Sequence, residues 1–285
     1  MLKQRLITAV ILLAVLLATL LAPSAWPLIA LLTVMSACAL WEWLRLTTSV
    51  NGNLPIVWAV LVGAGLTLLA YQWLQVDPSG WSLDIKNVLM RWLLPLVSLV
   101  WLFFATALVV QGQSQQRKAP YLLSAFGILA VIALWVSLVL IYLHHGAWFL
   151  VSLMALIWFA DTAAYFTGKA FGKHKLAPRV SPGKTWEGAA GGVLAAVIWV
   201  AVSSLWSGSF GDVLMQQWSW WLVMLISALL ATLSIVGDLF ESLLKRRAQV
   251  KDSSNLLPGH GGVYDRIDAL FPVAPIALLL TGATF

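Results

Sequence analysis

Long apolar runs broken by short polar intervals fill the chain from end to end. A helix needs about 20 mostly apolar residues, with a working range of about 17–25, to cross the hydrocarbon core of a bilayer. Runs of that kind lie at 6–22, 27–44, 56–74, 92–110, 121–143, 147–167, 188–206, 220–242 and 263–284. The pattern predicts an all-α fold, a polytopic membrane helical bundle of about nine transmembrane helices. Charge weakens the span pattern most at 27–44, which contains Glu42, and at 263–284, which opens on Asp265, Arg266 and Asp268. Pro23 and Pro27 confine the turn between the first two spans to a tight hairpin. The first run follows Lys3 and Arg5 and precedes small residues near Ala25, which is also the outline of a signal peptide. Its length, and the spans that come after it, favour a retained first helix.

Composition narrows the class. Of 285 residues, 61% are hydrophobic and 10% charged, against about 45–50% and about 25% in soluble domains. Mean hydropathy is +0.91. These values exclude an ordinary soluble domain, a disordered chain, a collagen and a nucleic-acid binder with a solvated basic face. Cys38 is the only cysteine, which excludes a disulfide scaffold and a cysteine-based zinc site.

Charge then orients the bundle. With the N-terminus in the cytoplasm, 14 of the 17 Lys and Arg fall in cytoplasmic segments, Lys86 and Arg91 fall on the opposite side, and Arg266 lies in the last span. Cytoplasmic loops carry such an excess. The expectation is therefore a cytoplasmic N-terminus and a periplasmic C-terminus. Nine of the 14 basic residues crowd into 169–184 and 245–251, more than orientation requires. Seven of the 11 acids (Asp161, Glu187, Asp238, Glu241, Asp252, Asp265 and Asp268) lie in or beside the last four spans. Residues 1–146 thus read as a transmembrane scaffold of about five helices, and 147–285 as a catalytic region of about four, with two basic cytoplasmic loops.

Four constellations carry candidate chemistry. Asp161, near the cytoplasmic end of its span, reads either as an interfacial acid paired with Lys169 or as an acceptor lining a site. The segment 169–188 is a basic, Gly- and Pro-containing loop. Its Ser181-Pro182-Gly183-Lys184-Thr185 abuts the next helix, where free amides and the helix dipole favour a phosphate, with Glu187 in the first turn. Arg179 stands where a P-loop needs glycine. Asp238 and Glu241, three apart, share a helix face one turn ahead of Lys245 and Arg246. The last cluster holds Lys251-Asp252, then Pro258-Gly259-His260-Gly261-Gly262, then Asp265-Arg266-Ile267-Asp268. Asp265 and Asp268 are expected on one helix face, where two carboxylates suit a hard divalent cation such as Mg²⁺ or Ca²⁺. Gly261 and Gly262 allow close approach of backbone to ligand, and His260 could donate to a phosphate or serve as an acid. Acidic metal ligands beside phosphate-binding bases are the equipment of phosphoryl chemistry.

The run SLLKRRAQVKDSSNLLPGHGGVYDRID, residues 242–268, resembles the signature of the phosphatidate cytidylyltransferases, the CDP-diacylglycerol synthases. It matches at Ser242, Lys245-Arg246, Lys251-Asp252, Pro258, His260-Gly261-Gly262, Asp265-Arg266 and Asp268. The run ADTAAYFTGKAFGKHKLAPRVSPGKTWEG, residues 160–188, is similar to a second segment of that family, and the likeness extends over essentially the whole chain. Ala269 departs from it, since many relatives have Ser there. The resemblance implies the reaction of CTP with phosphatidate to give CDP-diacylglycerol and pyrophosphate, with Asp238, Asp265 and Asp268 holding Mg²⁺ and room for a second, monovalent cation. It implies phosphate contacts from Ser181, Lys184, Lys245, Arg246 and Lys251. Lys251 and His260 join the three aspartates in the catalytic set; Asp161, Thr185, Glu187, Asp252, Gly261, Gly262 and Arg266 join the substrate-binding set. It also implies a homodimer in a bacterial inner membrane, with the site facing the cytoplasm and no nucleic-acid partner.

Two other readings compete. A transporter of an organic or phosphate anion predicts ionisable residues near mid-membrane and inverted repeats, whereas here the charges crowd the span ends. A phosphotransferase acting on CDP-diacylglycerol resembles a DGxxAR pattern, which is absent from this sequence.

Overall fold

The computed structural model describes residues 2–48, 53–75, 80–114 and 120–282, with side chains from residue 7 onward. Arg117, Lys118 and Phe285, and the side chains of Lys3 and Arg5, lie outside the described residues. Ten helices and one hairpin follow in order: α1 Leu2–Leu20, α2 Trp26–Thr47, α3 Leu54–Trp73, α4 Gly80–Gln111, α5 Pro120–Phe171, β1 Lys175–Ala177, β2 Ser181–Thr185, α6 Trp186–Ser203, α7 Phe210–Gln217, α8 Trp220–Arg247, α9 Tyr264–Ile267 and α10 Leu270–Leu280. Helices α2 to α6 and α8 are long and apolar enough to cross a membrane; Ile7–Leu20 and α10 are shorter apolar helices. Trp92, Phe103 and Val110 expose large apolar side chains along α4, as a lipid-facing surface requires. This is a helical membrane protein.

The 52 residues of α5 break once, at Gly146, where φ is 82° and ψ is −178°. Only glycine occupies that region without strain. The break falls between the spans expected at 121–143 and 147–167.

The chain forms two compact units. The first comprises Met1–Val97, Gln116–Val139 and Leu244–Ile267. Its core includes Trp43, which is fully buried, donates from Nε1 to the Leu123 carbonyl at 2.9 Å and packs its ring on Phe126 and Tyr264. Gly127 leaves room for that indole: a Cβ there would collide with it. Trp135 donates to Thr33 Oγ1 at 2.8 Å, so these two buried indole N–H groups find acceptors, as burial demands.

The second unit comprises Ser98–Gln115, Leu140–Leu243 and Asp268–Phe285. Its packing rests on small residues. A Cβ at Gly188 or Gly192 would lie 2.8 Å from the Ala164 carbonyl oxygen or 2.7 Å from that of Ala160, and one at Gly191 would strike Thr167. The backbones of α6 and α5 therefore touch, as helices in lipid do where small residues recur four apart. Trp199 Nε1 ties the same two helices by donating to the Ser152 carbonyl at 2.8 Å.

Two local expectations change. The segment 169–188 is not an open loop: α5 runs on to Phe171, and 175–185 fold into an antiparallel hairpin pairing Lys175 with Thr185 and Ala177 with Ser181. The chain Phe-Thr-Gly-Lys-Ala-Phe still favours helix, and the hairpin satisfies its own backbone groups, closed by Trp186 N–H donating to the His174 carbonyl. Nor do Asp265 and Asp268 share a helix face. Helix stops at Ile267 and resumes at Leu270, with the Ala269 N–H donating to Asp268 Oδ1 at 2.8 Å. A side chain that captures a neighbouring amide competes in this way with the helical ladder.

Candidate active site

In the second unit, β2, the C-terminal part of α5 and α8 enclose a cavity of about 560 Å³. Asp161, Tyr165, Lys169, Ser181, Lys184, Thr185 and Asp238 line it. The hairpin presents Lys184 inward, and its Nζ lies 2.6 Å from Asp238 Oδ2. Both side chains keep about a quarter to a third of their surface exposed, so water screens the pair and its contribution to stability is small. Thr185 caps α6: its buried Oγ1 accepts from the Gly188 N–H at 3.1 Å, which satisfies one of the free amides at that helix start. Glu187 does not line the cavity. It accepts from the His174 backbone N–H, and its Oε1 is 2.6 Å from His174 Nδ1, at the base of the hairpin.

Beside this cavity, Asp238, Glu241 and Asp268 form a carboxylate cluster, their ligand oxygens all within 4.8 Å of one another. Asp238 and Glu241 project from one face of α8, as their spacing requires. Asp268 reaches them because Gly237 has no side chain: a Cβ there would stand 2.5 Å from the Asp268 carbonyl oxygen and 3.1 Å from the Ala269 Cα. Glu241 is 1% exposed. Carboxylates crowded and buried in this way repel one another unless protons or cations intervene. An all-oxygen set fits a hard divalent ion, and Mg²⁺ typically takes one or two carboxylates together with substrate phosphates.

In the first unit, a second constellation centres on Asp265. Its Oδ1 accepts from Lys245 Nζ at 2.6 Å; its Oδ2 accepts from the Ser253 N–H at 3.0 Å and the Gly262 N–H at 2.7 Å, and lies 2.8 Å from Ser253 Oγ. The Lys245 and Asp265 side chains are 15% and 5% exposed. Gly261, at φ +80°, turns the chain where a Cβ would lie 2.7 Å from that same Oδ2. Arg266 Nε donates to the His260 carbonyl at 3.1 Å, and the His260 ring is half-buried. Arg246, Lys251 and Asp252 are exposed.

The structure thus gathers Asp161, Ser181, Lys184, Thr185 and Asp238 around one cavity, and Lys245, Gly261 and Gly262 around Asp265. Sequence reasoning passed over Ser253, Ser254 and above all Glu42. Glu42 is fully buried near the end of α2, and its carboxylate accepts from both serine hydroxyls and from the Val263 and Tyr264 amides. The signal was there: an acid inside an otherwise apolar span is costly without partners.

A family model described as "Cytidylyltransferase family" matches residues 3–283. The chain is similar to curated phosphatidate cytidylyltransferases. That of Pseudomonas aeruginosa is 40% identical over 289 residues, covering 99% of this chain and 98% of the relative. That of Haemophilus influenzae is 34% identical, covering 96% of each, and that of Bacillus subtilis 31%, covering 98% and 97%.

Proposed function

The chain belongs to the cytidylyltransferase family, and we propose on that premise that it is a phosphatidate cytidylyltransferase of phospholipid biosynthesis. CTP and phosphatidate give CDP-diacylglycerol and pyrophosphate. A phosphate oxygen of the lipid attacks the α-phosphorus of CTP; the bond from that phosphorus to the bridging oxygen breaks, and pyrophosphate departs with the electron pair. The attacking oxygen is already anionic near neutral pH, so no strong general base is needed. The protein's work is to hold two polyanions and to stabilise the charge that grows on the leaving group.

The observation that carries this reading is the pairing of Lys184 with Asp238 in a cavity whose α8 wall also presents Glu241 to Asp268. Lys184 and Ser181 bind phosphate oxygens in the second unit; Lys245, Arg246 and Lys251 do so in the first. Asp161 and Thr185 shape the cavity, and Asp252, His260, Gly261, Gly262 and Arg266 build the loop around Asp265. Glu187 fixes the hairpin base through His174. Asp238 and Asp268, with Glu241, would hold Mg²⁺, which supplies charge neutralisation on phosphate oxygens. Asp265, the further acid that the resemblance implies, is held within the first unit by Lys245 and the Gly262 amide.

The same reading places nine spans in a bacterial inner membrane, with the N-terminus and the site on the cytoplasmic side, where CTP is, in a homodimer. Residues 1–146 serve mainly as scaffold. Purified protein in detergent, given CTP labelled at the α-phosphate, phosphatidate and Mg²⁺, should form a labelled lipid and release unlabelled pyrophosphate. Asp268→Asn should abolish that product while membrane insertion stays normal. A wild-type protein that binds CTP but labels no lipid refutes the reading; equal rates for the variant remove Asp268 from the reaction.

A further inference from the structure

A carboxylate with no exposed surface must be matched by donors, or its burial costs more than the fold can sustain. Glu42 is 0% exposed and meets that demand in a particular way. Its Oε1 accepts from Ser254 Oγ at 2.5 Å and from the Val263 N–H at 3.0 Å. Its Oε2 lies 3.0 Å from Ser253 Oγ and accepts from the Tyr264 N–H at 2.6 Å. Each oxygen therefore lies within hydrogen-bond reach of one hydroxyl at the start of the segment 253–264 and accepts from one amide at its end. One side chain closes the loop twice. Gly262 is glycine for the same reason, since a Cβ there would collide with both Glu42 and Ser253.

The closed segment is not an arbitrary one. Ser253 also donates its N–H to Asp265 Oδ2, and its Oγ sits 2.8 Å from that oxygen. Asp265 in turn holds Lys245, and Lys251 and Asp252 immediately precede the closed stretch. We propose that Glu42 is a positioning residue for the transfer reaction: from α2 it locks the loop that orients Asp265 and presents Lys251. This rests on the functional reading above, in which those two residues belong to the site. It assigns a role in that reaction to a helix of the part expected to be scaffold.

Glu42→Gln tests the idea with almost no change of shape. Whichever oxygen the amide nitrogen replaces, one backbone N–H loses its acceptor, and at Oε1 the Ser254 hydroxyl loses its own as well. A buried donor left without an acceptor corresponds to about tenfold or more in loop opening, each factor of ten being about 1.4 kcal/mol. The variant and wild type are compared as full chains in detergent. One readout is tryptic cleavage after the exposed Lys251, with Lys169, Lys173 and Lys175 in the second unit as internal controls. The other is kcat and KM for CTP and phosphatidate. We expect cleavage after Lys251 to accelerate at least tenfold while the control sites hold their rates, and kcat/KM per folded enzyme to fall at least tenfold. Wild-type cleavage after Lys251, or equal acceleration at every site, overturns the proposal, as does wild-type kcat/KM. If Glu42→Gln yields no folded protein, Ser254→Ala decides, since it removes one donor and keeps the charge. Selective acceleration after Lys251 together with a lowered kcat/KM sustains the proposal, and wild-type behaviour in either readout overturns it. An inactive wild-type enzyme would sink the functional reading instead, and cleavage would still report whether the clamp exists.

Discussion

Replacing Gly237 by alanine adds one methyl group and alters no charge. That methyl would stand 2.5 Å from the Asp268 carbonyl oxygen, where ordinary contact begins at 3.4 Å. The main chain around Asp268 must therefore retreat by about 0.9 Å, since the neighbour is backbone and has no rotamer to change. Overpacking of this kind costs about 1–3 kcal/mol of stability. The functional effect should be larger. A shift of about 1 Å in a positioning group can lower a rate by about 10²-fold, and Asp268 lies within 4.8 Å of its two partners. The expected result is a folded, membrane-inserted Gly237→Ala protein whose kcat falls about a hundredfold. Lipid labelling from CTP measures it, with thermal unfolding in detergent alongside. Gly211→Ala is the control, because its Cβ would likewise meet main chain, the Val200 carbonyl, but at the end of α6 remote from the hairpin. If Gly237→Ala keeps wild-type turnover, or if both variants lose activity only in proportion to lost folding, the placement of Asp268 against α8 has no bearing on the reaction.

Lys184→Gln and Lys251→Gln should each insert with unchanged orientation, because at least three other bases remain in each segment. Each should lower kcat/KM at least about tenfold, the low end of a lost charge-assisted contact; full activity in both would mean these lysines only orient the chain. A reporter active only in the periplasm should work when fused after Phe285 and stay silent after Gly183. The reverse pair would place the hairpin on the side without CTP.

Much of the architecture was legible because lipid imposes one dominant rule. Most apolar runs of spanning length became helices, although 263–284 split into the four-residue α9 and the shorter α10, and the boundary near 144–146 was visible as His144-His145-Gly146, a polar pair ahead of the one residue suited to φ 82°. Asp238 and Glu241 were readable as neighbours because helix spacing is fixed. The same rule misled at Asp265 and Asp268. Their spacing fits a helix, but the capture of the Ala269 amide by Asp268 ends the ladder there. The hairpin was hidden in a stretch with no strand-like alternation, where Gly and Pro read as loop. The surroundings of Glu42 were hidden for a different reason. Nothing local marks its partners, which stand 211 to 222 residues away.

That separation has a consequence for how the protein is made. Chains emerge at about 5–20 residues per second, so Glu42 enters its helix about 10–40 s before Ser253 exists. Throughout that interval the acid sits in an apolar segment without the donors that later surround it. An acid near a helix centre weighs about 2.5–3.5 kcal/mol against insertion, and Glu42, close to the end of α2, can reach toward the interface meanwhile. The first helical pair must therefore tolerate a temporary, solvent-seeking arrangement and surrender it when the last eighth of the chain arrives. A chain cut short before residue 253 never makes that exchange. It keeps an unmatched carboxylate among apolar helices.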